Sequence, residues 1–377
     1  MARAPVLQVI EALPEADRLD EVPHPRATTV LHGHSQAEQT LVAGIASGRM
    51  HHGLLITGPE GIGKATLAYR FARHALADPT ERDPFGQSLD IAAETVAARQ
   101  VQALSHPGLL LIRRPWDPKG KRFTASIPVD EVRRIKAFLA HTAATDSNRV
   151  VIVDSADELN VNAANALLKS LEEPPPRTFV VLVAATPGRL LPTIRSRCRT
   201  LALQPLAEQN LRRAAQAALM STEREPPGAA EWTRLVALAQ GSVRRLLVLW
   251  MRDGLKLQDR IDALFKGLPR IDWSLVHTLG DELGSVAAAD KFETFYELLM
   301  QHLASLIRAA AANGAAGGDP AGGQAPGMAA ISAARLASWA ELWETLVREK
   351  AEAMALNLDR KSLILEAFSR IESVTRR

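Results

Sequence analysis

Residues 53–204 predict an α/β domain built on a parallel sheet, and the remainder of the chain predicts helices. Three observations carry that reading. First, the apolar runs GLLIT, LLLI, VVIV, FVVLVAA and TLAL recur between helical patterns. Each is too short for a free-standing helix and is bounded by turn residues. Unbroken apolar strands alternating with helices imply a parallel sheet covered on both faces. Second, a glycine-rich turn, Gly58-Pro59-Glu60-Gly61-Ile62-Gly63-Lys64, falls between the first run and a helical stretch. Third, the strand signal stops after Pro205, and Leu, Ala and Trp at helical spacing take over.

The elements follow in order. After Lys64, Leu67, Phe71 and Ala75 recur at spacing four beside Ala68, Ala72 and Leu76, which predicts a helix with one buried stripe. Pro128 with Asp130 and Glu131 marks another helix start, the acids favouring its positive end. Val150 to Val153 form a strand ending in Asp154. The helix ALLKSLEE that follows is stopped by prolines 174–176, and Ser196-Arg197-Cys198 read as part of a short helix. Residues 206 to about 262 form a small helical unit broken at Pro226-Pro227-Gly228. The helical region beyond 270 is interrupted by NGAAGGDPAGGQAPG at 313–327, read as a flexible loop. The predicted division is 1–205 for the α/β P-loop domain, 206–265 for a helical lid and 266–377 for a helical domain.

A chain of 377 residues, 47% hydrophobic and 23% charged, can build two or three cores. The net charge of +3 is well mixed, so it is compatible with nucleic-acid contact without arguing for it. Cys198 is the single cysteine, which excludes an intrachain disulfide and fits a reducing, cytoplasmic compartment. Acids within the first twenty residues argue against a secretory signal, and no apolar run reaches about 18 residues, so no membrane span is expected.

The turn at 58–64 matches a P-loop. Gly58, Gly61 and Gly63 let backbone N–H groups wrap phosphates, and Lys64 reaches the outer ones. Ala65 stands where Ser or Thr would hold Mg²⁺. Thr66 comes one residue late, a rotation of about 100° on a helix. Asp154 ends its strand as a metal-holding acid does, yet Ser155 follows where a hydrolysing site needs a carboxylate to orient water. Losing a general base costs roughly 10²–10⁴ in rate. ATP is therefore the expected nucleotide, Mg²⁺ placement is compromised, and the site is either inherited scaffolding or retained structural binding.

NALLKSLEEPP with SRC some twenty residues later resembles the bacterial clamp-loader ATPases of the AAA+ class, and within them the delta-prime type. The resemblance covers nearly the whole chain and is weakest at 77–105 and 312–330. It implies that the last domain is a collar joining subunits into a ring. It also implies that Arg197 acts in trans on the γ-phosphate held by a neighbouring subunit; the alternative is a solvated surface arginine. Thr186 matches a phosphate sensor or else caps its strand. Arg244, in Gly241-Ser242-Val243-Arg244, matches a second sensor that closes the lid or is a relic. Many relatives carry a four-cysteine zinc module, which this chain cannot build, so no zinc is expected. Arg113, Arg114, Lys119, Lys121 and Arg122 form a basic loop that either touches DNA phosphates or is a charged, hydrated hairpin. Leu356, Leu358, Leu363, Leu365 and Phe368 are expected in the collar core.

The implied function is a non-motor member of the DNA polymerase III clamp loader. Its implied partners are the gamma/tau motor subunits and the delta subunit, with the sliding clamp and primed DNA met through the complex. An active gamma/tau-type motor is the first alternative, opposed by Ala65, Ser155 and the missing cysteines. A small-molecule P-loop kinase is the second, and it leaves SRC and the helical half unexplained.

Overall fold

The computed structural model describes residues 14–141, 147–316 and 335–376. They belong to two compact units, one running to Pro226 and taking in Ala239–Arg245, the other formed by Pro227–Leu238 and Leu246 onward. The small helical unit expected at 206–265 is thus divided between them.

The first unit is built on five parallel strands: β1 (Gly53–Thr57), β2 (Leu109–Ile112), β5 (Arg149–Val153), β6 (Thr178–Ala184) and β7 (Arg199–Ala202), in the order β2-β5-β6-β1-β7. All five expected apolar runs are strands. β1 and β5 are buried at every position, because helices cover both faces. One face carries α1 (Ser35–Ala46), α2 (Lys64–Leu76) and α3 (Val96–Gln102), with Leu54, Ile56, Phe71 and Ile152 in its core. The other carries α4 (Val129–His141), α5 (Val161–Glu172) and the four-residue α6 (Pro192–Arg195), around Leu55, Val151, Leu167 and Ile194. A two-stranded hairpin, β3 (Trp116–Asp117) with β4 (Arg122–Phe123), leaves the end of β2.

α2 does not present a single stripe. Tyr69, Arg70, Arg73 and His74 are buried along with the apolar residues, whereas Leu76 is only partly buried. The outer face is covered by polar chemistry. Arg70 donates to Glu38 (2.7 Å) and Asp90 (2.6 Å), and Arg73 donates to the Thr28 carbonyl (2.5 Å). Arg82 adds donation to the Ala77 carbonyl (2.7 Å). No group of side chains able to hold a metal occurs among the described residues.

Helices make up the rest: α7 (Glu208–Leu219), α8 (Ala229–Ala239), α9 (Val243–Met251), α10 (Gly254–Lys266), α11 (Trp273–Leu283), α12 (Ala289–Ala316), α13 (Leu336–Ala355) and α14 (Arg360–Arg376). In the second unit α12 packs against α10 and α13, while α14 packs against α11 and α13, burying Phe292, Phe295, Tyr296, Trp339 and Phe368. Trp343 donates to the Met300 carbonyl (3.1 Å), so its indole N–H is satisfied.

Two expectations need correction here. The loop expected from 313 begins later, because α12 runs on through Ala316. The alanines at 309–312 carry strong helix propensity, and a single glycine at 314 costs only about 1 kcal/mol. Residues 317–327 lie outside the described residues. Leu356 and Leu358, expected in the core, are 69% and 55% exposed, since they fall in the turn between α13 and α14 around Asn357 at φ +52°. Leu363 and Phe368 are buried and Leu365 partly so. No helix among the described residues is long and apolar enough to cross a membrane.

Candidate nucleotide site and trans arginine

The P-loop sits where strand geometry requires, between the C-terminal end of β1 and the start of α2. Gly58 and Gly61 are needed for two different reasons. At Gly58, φ is +135° and a Cβ would lie 2.4 Å from the Leu203 carbonyl oxygen. At Gly61, φ is +74° and a Cβ would lie 2.4 Å from both Ser242 Oγ and Arg244 Cβ. Gly63, at φ +107°, opens α2. Lys64 is buried, and its ammonium donates back to the Gly58 carbonyl (2.8 Å) and the Pro59 carbonyl (2.6 Å). Burial pushes its pKa down, against the pull of Glu60, Asp157 and Asp154. The lysine is thus satisfied by its own loop.

The Gly241–Arg244 element meets this loop directly. Ser242 Oγ donates to the Glu60 carbonyl (2.8 Å), and the N–H groups of Val243 and Arg244 donate to the Gly61 carbonyl (2.9 and 3.3 Å). Arg244 pairs with Glu60 through Nε at 3.0 Å. The expected second sensor is therefore beside the P-loop, engaged with a protein carboxylate.

Asp154 follows β5 as expected, its N–H donating to the Ile112 carbonyl (2.9 Å), and it is only 6% exposed. Its neighbour was not legible in the sequence: Asp17 lies close enough to act on it electrostatically, and among the described residues Asp154 Oδ2 is buried without a hydrogen-bond partner. Burial, then the nearby Asp17 charge, raise Asp154 to about 7. Burial also opposes ionisation of Asp17, but His24 and Arg113 overcome it and hold Asp17 well below the carboxylate range. His24 Nε2 lies 2.8 Å from Asp17, and Arg113 donates to Asp17 (2.6 Å) and to Glu15 (2.7 Å). Arg26 adds a second contact to Glu15 at 2.9 Å. The result is two neighbouring acids, of which Asp17 is held ionised and Asp154 is pushed toward its protonated form.

These residues fit a phosphate in part, through the loop glycines and the α2 terminus. They do not fit Mg²⁺: Ala65 has no hydroxyl, Thr66 is half-buried on the next turn position, and burial with the nearby Asp17 charge disfavours ionisation of Asp154. Ser155 holds a left-handed conformation (φ +57°) and has no carboxylate to give. The nearby acids are committed elsewhere. Asp157 accepts from the Thr186 N–H (2.8 Å), and Glu158 pairs with Arg114 (2.8 Å). Thr186 itself lies two residues beyond β6, exposed.

Arg197 is not part of this cluster. Ser196-Arg197-Cys198 form the turn after α6 and not the helix itself, because the Leu201 side of the chain must re-enter the sheet as β7. The Arg197 carbonyl oxygen would be 2.9 Å from a Cβ on Gly53, the first residue of β1. The P-loop leaves the other end of that five-residue strand, roughly 13 Å away at about 3.3 Å per residue. The side chain is 38% exposed, and its guanidinium donates to the Thr193 carbonyl (3.1 Å) and pairs with Glu172 at 2.9 Å. Cys198 is half-buried against the core, and burial pushes its thiol up to about 11, which leaves it inert as a nucleophile.

A family model described as "DNA polymerase III, delta subunit" matches residues 33–207. The DNA polymerase III subunit delta' of Escherichia coli is 33% identical over 247 residues, covering 65% of this chain and 68% of that one. The chain belongs to the DNA polymerase III delta-prime family. The Pseudomonas aeruginosa delta' protein is 39% identical over 148 residues, a stretch that spans 41% of that relative's length. The E. coli tau subunit is 25% identical over 282 residues, covering 75% of this chain and 40% of tau.

In this delta-prime chain the basic loop divides by position. Arg113 and Arg114 are held by Glu15, Asp17 and Glu158, while Lys119, Lys121 and Arg122 are exposed on the β3–β4 hairpin. Sequence reasoning missed Asp17 and Glu172. Asp17 carries no local signal, being separated from Asp154 by 137 positions. Glu172 lies in LEEPP, next to the prolines that end α5, but nothing in spacing links it to Arg197.

Proposed function

We propose that this chain serves a DNA polymerase III clamp loader as a non-motor ring member, supplying Arg197 in trans to ATP held by an adjacent subunit. The observation that carries this reading is the opposition of two sites along β1. The chain's own P-loop leaves one end of the strand and Arg197 packs at the other, so Arg197 has no route to its own phosphates. A guanidinium brought to a neighbour's γ-phosphate neutralises charge that builds as the phosphoryl group transfers, worth roughly 10³–10⁵ in rate. Its own site, with Lys64 folded onto loop carbonyls and Asp154 beside Asp17, supports weak or structural nucleotide binding without hydrolysis.

On this reading the motor subunits are of gamma/tau type, a delta subunit opens the clamp, and the helical region from 266 forms the collar that joins them. Residues 206–265 act as the lid. The chain is the rigid partner against which ATP-driven movement loads the sliding clamp on primed DNA. Two measurements test it: ATP turnover by the purified chain with Mg²⁺ and primed DNA, compared with Lys64→Ala, and turnover of a reconstituted loader carrying Arg197→Ala. Turnover by the chain alone above the Lys64→Ala control would restore the motor reading.

A further inference from the structure

We infer that Glu172 is a positioning residue for Arg197, holding the guanidinium in the orientation in which it is delivered to the neighbouring subunit. The inference rests on the trans reading of Arg197 and adds to it the group that orders the side chain.

Three arginines lie on this short stretch, Arg195, Arg197 and Arg199. Among the described residues, the side chains of Arg195 and Arg199 are exposed and have no hydrogen-bond or ion-pair partner, so each samples many rotamers. Arg197 differs on every count. Its backbone is fixed by the Ile194 carbonyl (3.1 Å from Arg197 N) and by close approach to Gly53. One terminal nitrogen donates to the Thr193 carbonyl and the other pairs with Glu172. Those two acceptors come from different elements, α6 and the last residue of α5, and the two guanidinium nitrogens are bound at once.

Glu172 is itself well placed to hold a cation. It ends α5, where the helix dipole already carries partial negative charge. The Leu171 carbonyl beside it is engaged by His52 Nε2 at 2.7 Å. Prolines 174–176 stop the helix immediately, so the carboxylate cannot be carried away by continuation of the turn. A long side chain held at two of its nitrogens gives up little further freedom when it meets a phosphate. Preordering of that kind affects the chemical step more than nucleotide affinity.

The test is a Glu172 series in a reconstituted loader, reading kcat and KM for ATP separately, with thermal melts of each variant to confirm folding. Glu172→Ala is expected to slow turnover at the one ATP site that Arg197 serves roughly three- to tenfold, with KM unchanged. Glu172→Gln, which keeps an oxygen acceptor in place, is expected to retain more than half of the wild-type kcat. Wild-type or raised kcat in Glu172→Ala would overturn the proposal, as would equal loss in Gln and Ala, since orientation would then not be the cause. Arg197→Ala measured alongside separates the two ideas. If it has no effect, the trans reading fails. If it removes the turnover of that site while Glu172→Ala leaves it intact, only the positioning role fails.

Discussion

Replacing Asp154 with Asn removes an ionisation that the fold opposes. The carboxyl is 6% exposed, and its pKa is raised from 3.8 to about 7 by burial and by the charge of the nearby Asp17 carboxylate. A raised carboxyl pKa means that the folded protein keeps a proton the unfolded chain has already released. Stability from this group is complete below pH 3.8, declines as pH rises and is lost above about 7. Working the two values through proton linkage, this one group takes about 2 kcal/mol from the wild-type protein between pH 5.5 and 8. Asn cannot ionise. The assay is urea unfolding of wild type and Asp154→Asn across that range. His74, which burial lowers to about 4, has the opposite sign, because the unfolded chain protonates it first as pH falls. It is present in both proteins and cancels in the difference. Asp154→Asn is expected to gain about 2 kcal/mol on the wild type between pH 5.5 and 8. A difference that stays constant across the range would refute the raised Asp154 pKa.

Other consequences can be measured on the isolated chain. Asp17→Ala removes the carboxylate nearest His24 and leaves Arg113 only Glu15 among the described residues, at side chains 5% and 21% exposed, and should destabilise by about 3 kcal/mol near neutrality; an unchanged melt would count against the cluster. Gly61→Ala meets both a positive φ and Ser242 with Arg244 at 2.4 Å, so a loss of roughly 1–3 kcal/mol is expected by thermal unfolding. Phe368→Ala should cost about 3–5 kcal/mol, whereas Leu356→Ser should stay within about 0.5 kcal/mol; equal costs would show Leu356 buried. Chelation by EDTA should leave the melting temperature unchanged, and a clear drop would reveal a structural metal.

The strands were legible because a parallel sheet covered on both faces needs unbroken apolar runs, and few other elements produce runs of four to seven residues. The P-loop was legible because its glycines have a local steric reason. What escaped the sequence was long-range and polar. Asp17 finds Asp154 across 137 positions, and Arg70 and Arg73 bury a helix face that periodicity assigned to solvent. Leu356 and Leu358 fit an apolar pattern, but a turn at Asn357 takes them out of register with α14. Ser196-Arg197-Cys198 read as helix since nothing local marks where α6 must end for β7 to begin. At the site, residue types were readable, whereas the partners that set their charge and orientation were not.

The most direct test of the account is single-turnover ATP hydrolysis by a reconstituted loader carrying Arg197→Ala. Trans action predicts that one ATP site slows by on the order of 10³ or more, so that its share of the fast phase disappears while ATP binding persists. A fast phase of wild-type amplitude and rate would contradict it, leaving Arg197 as a surface ion pair with Glu172.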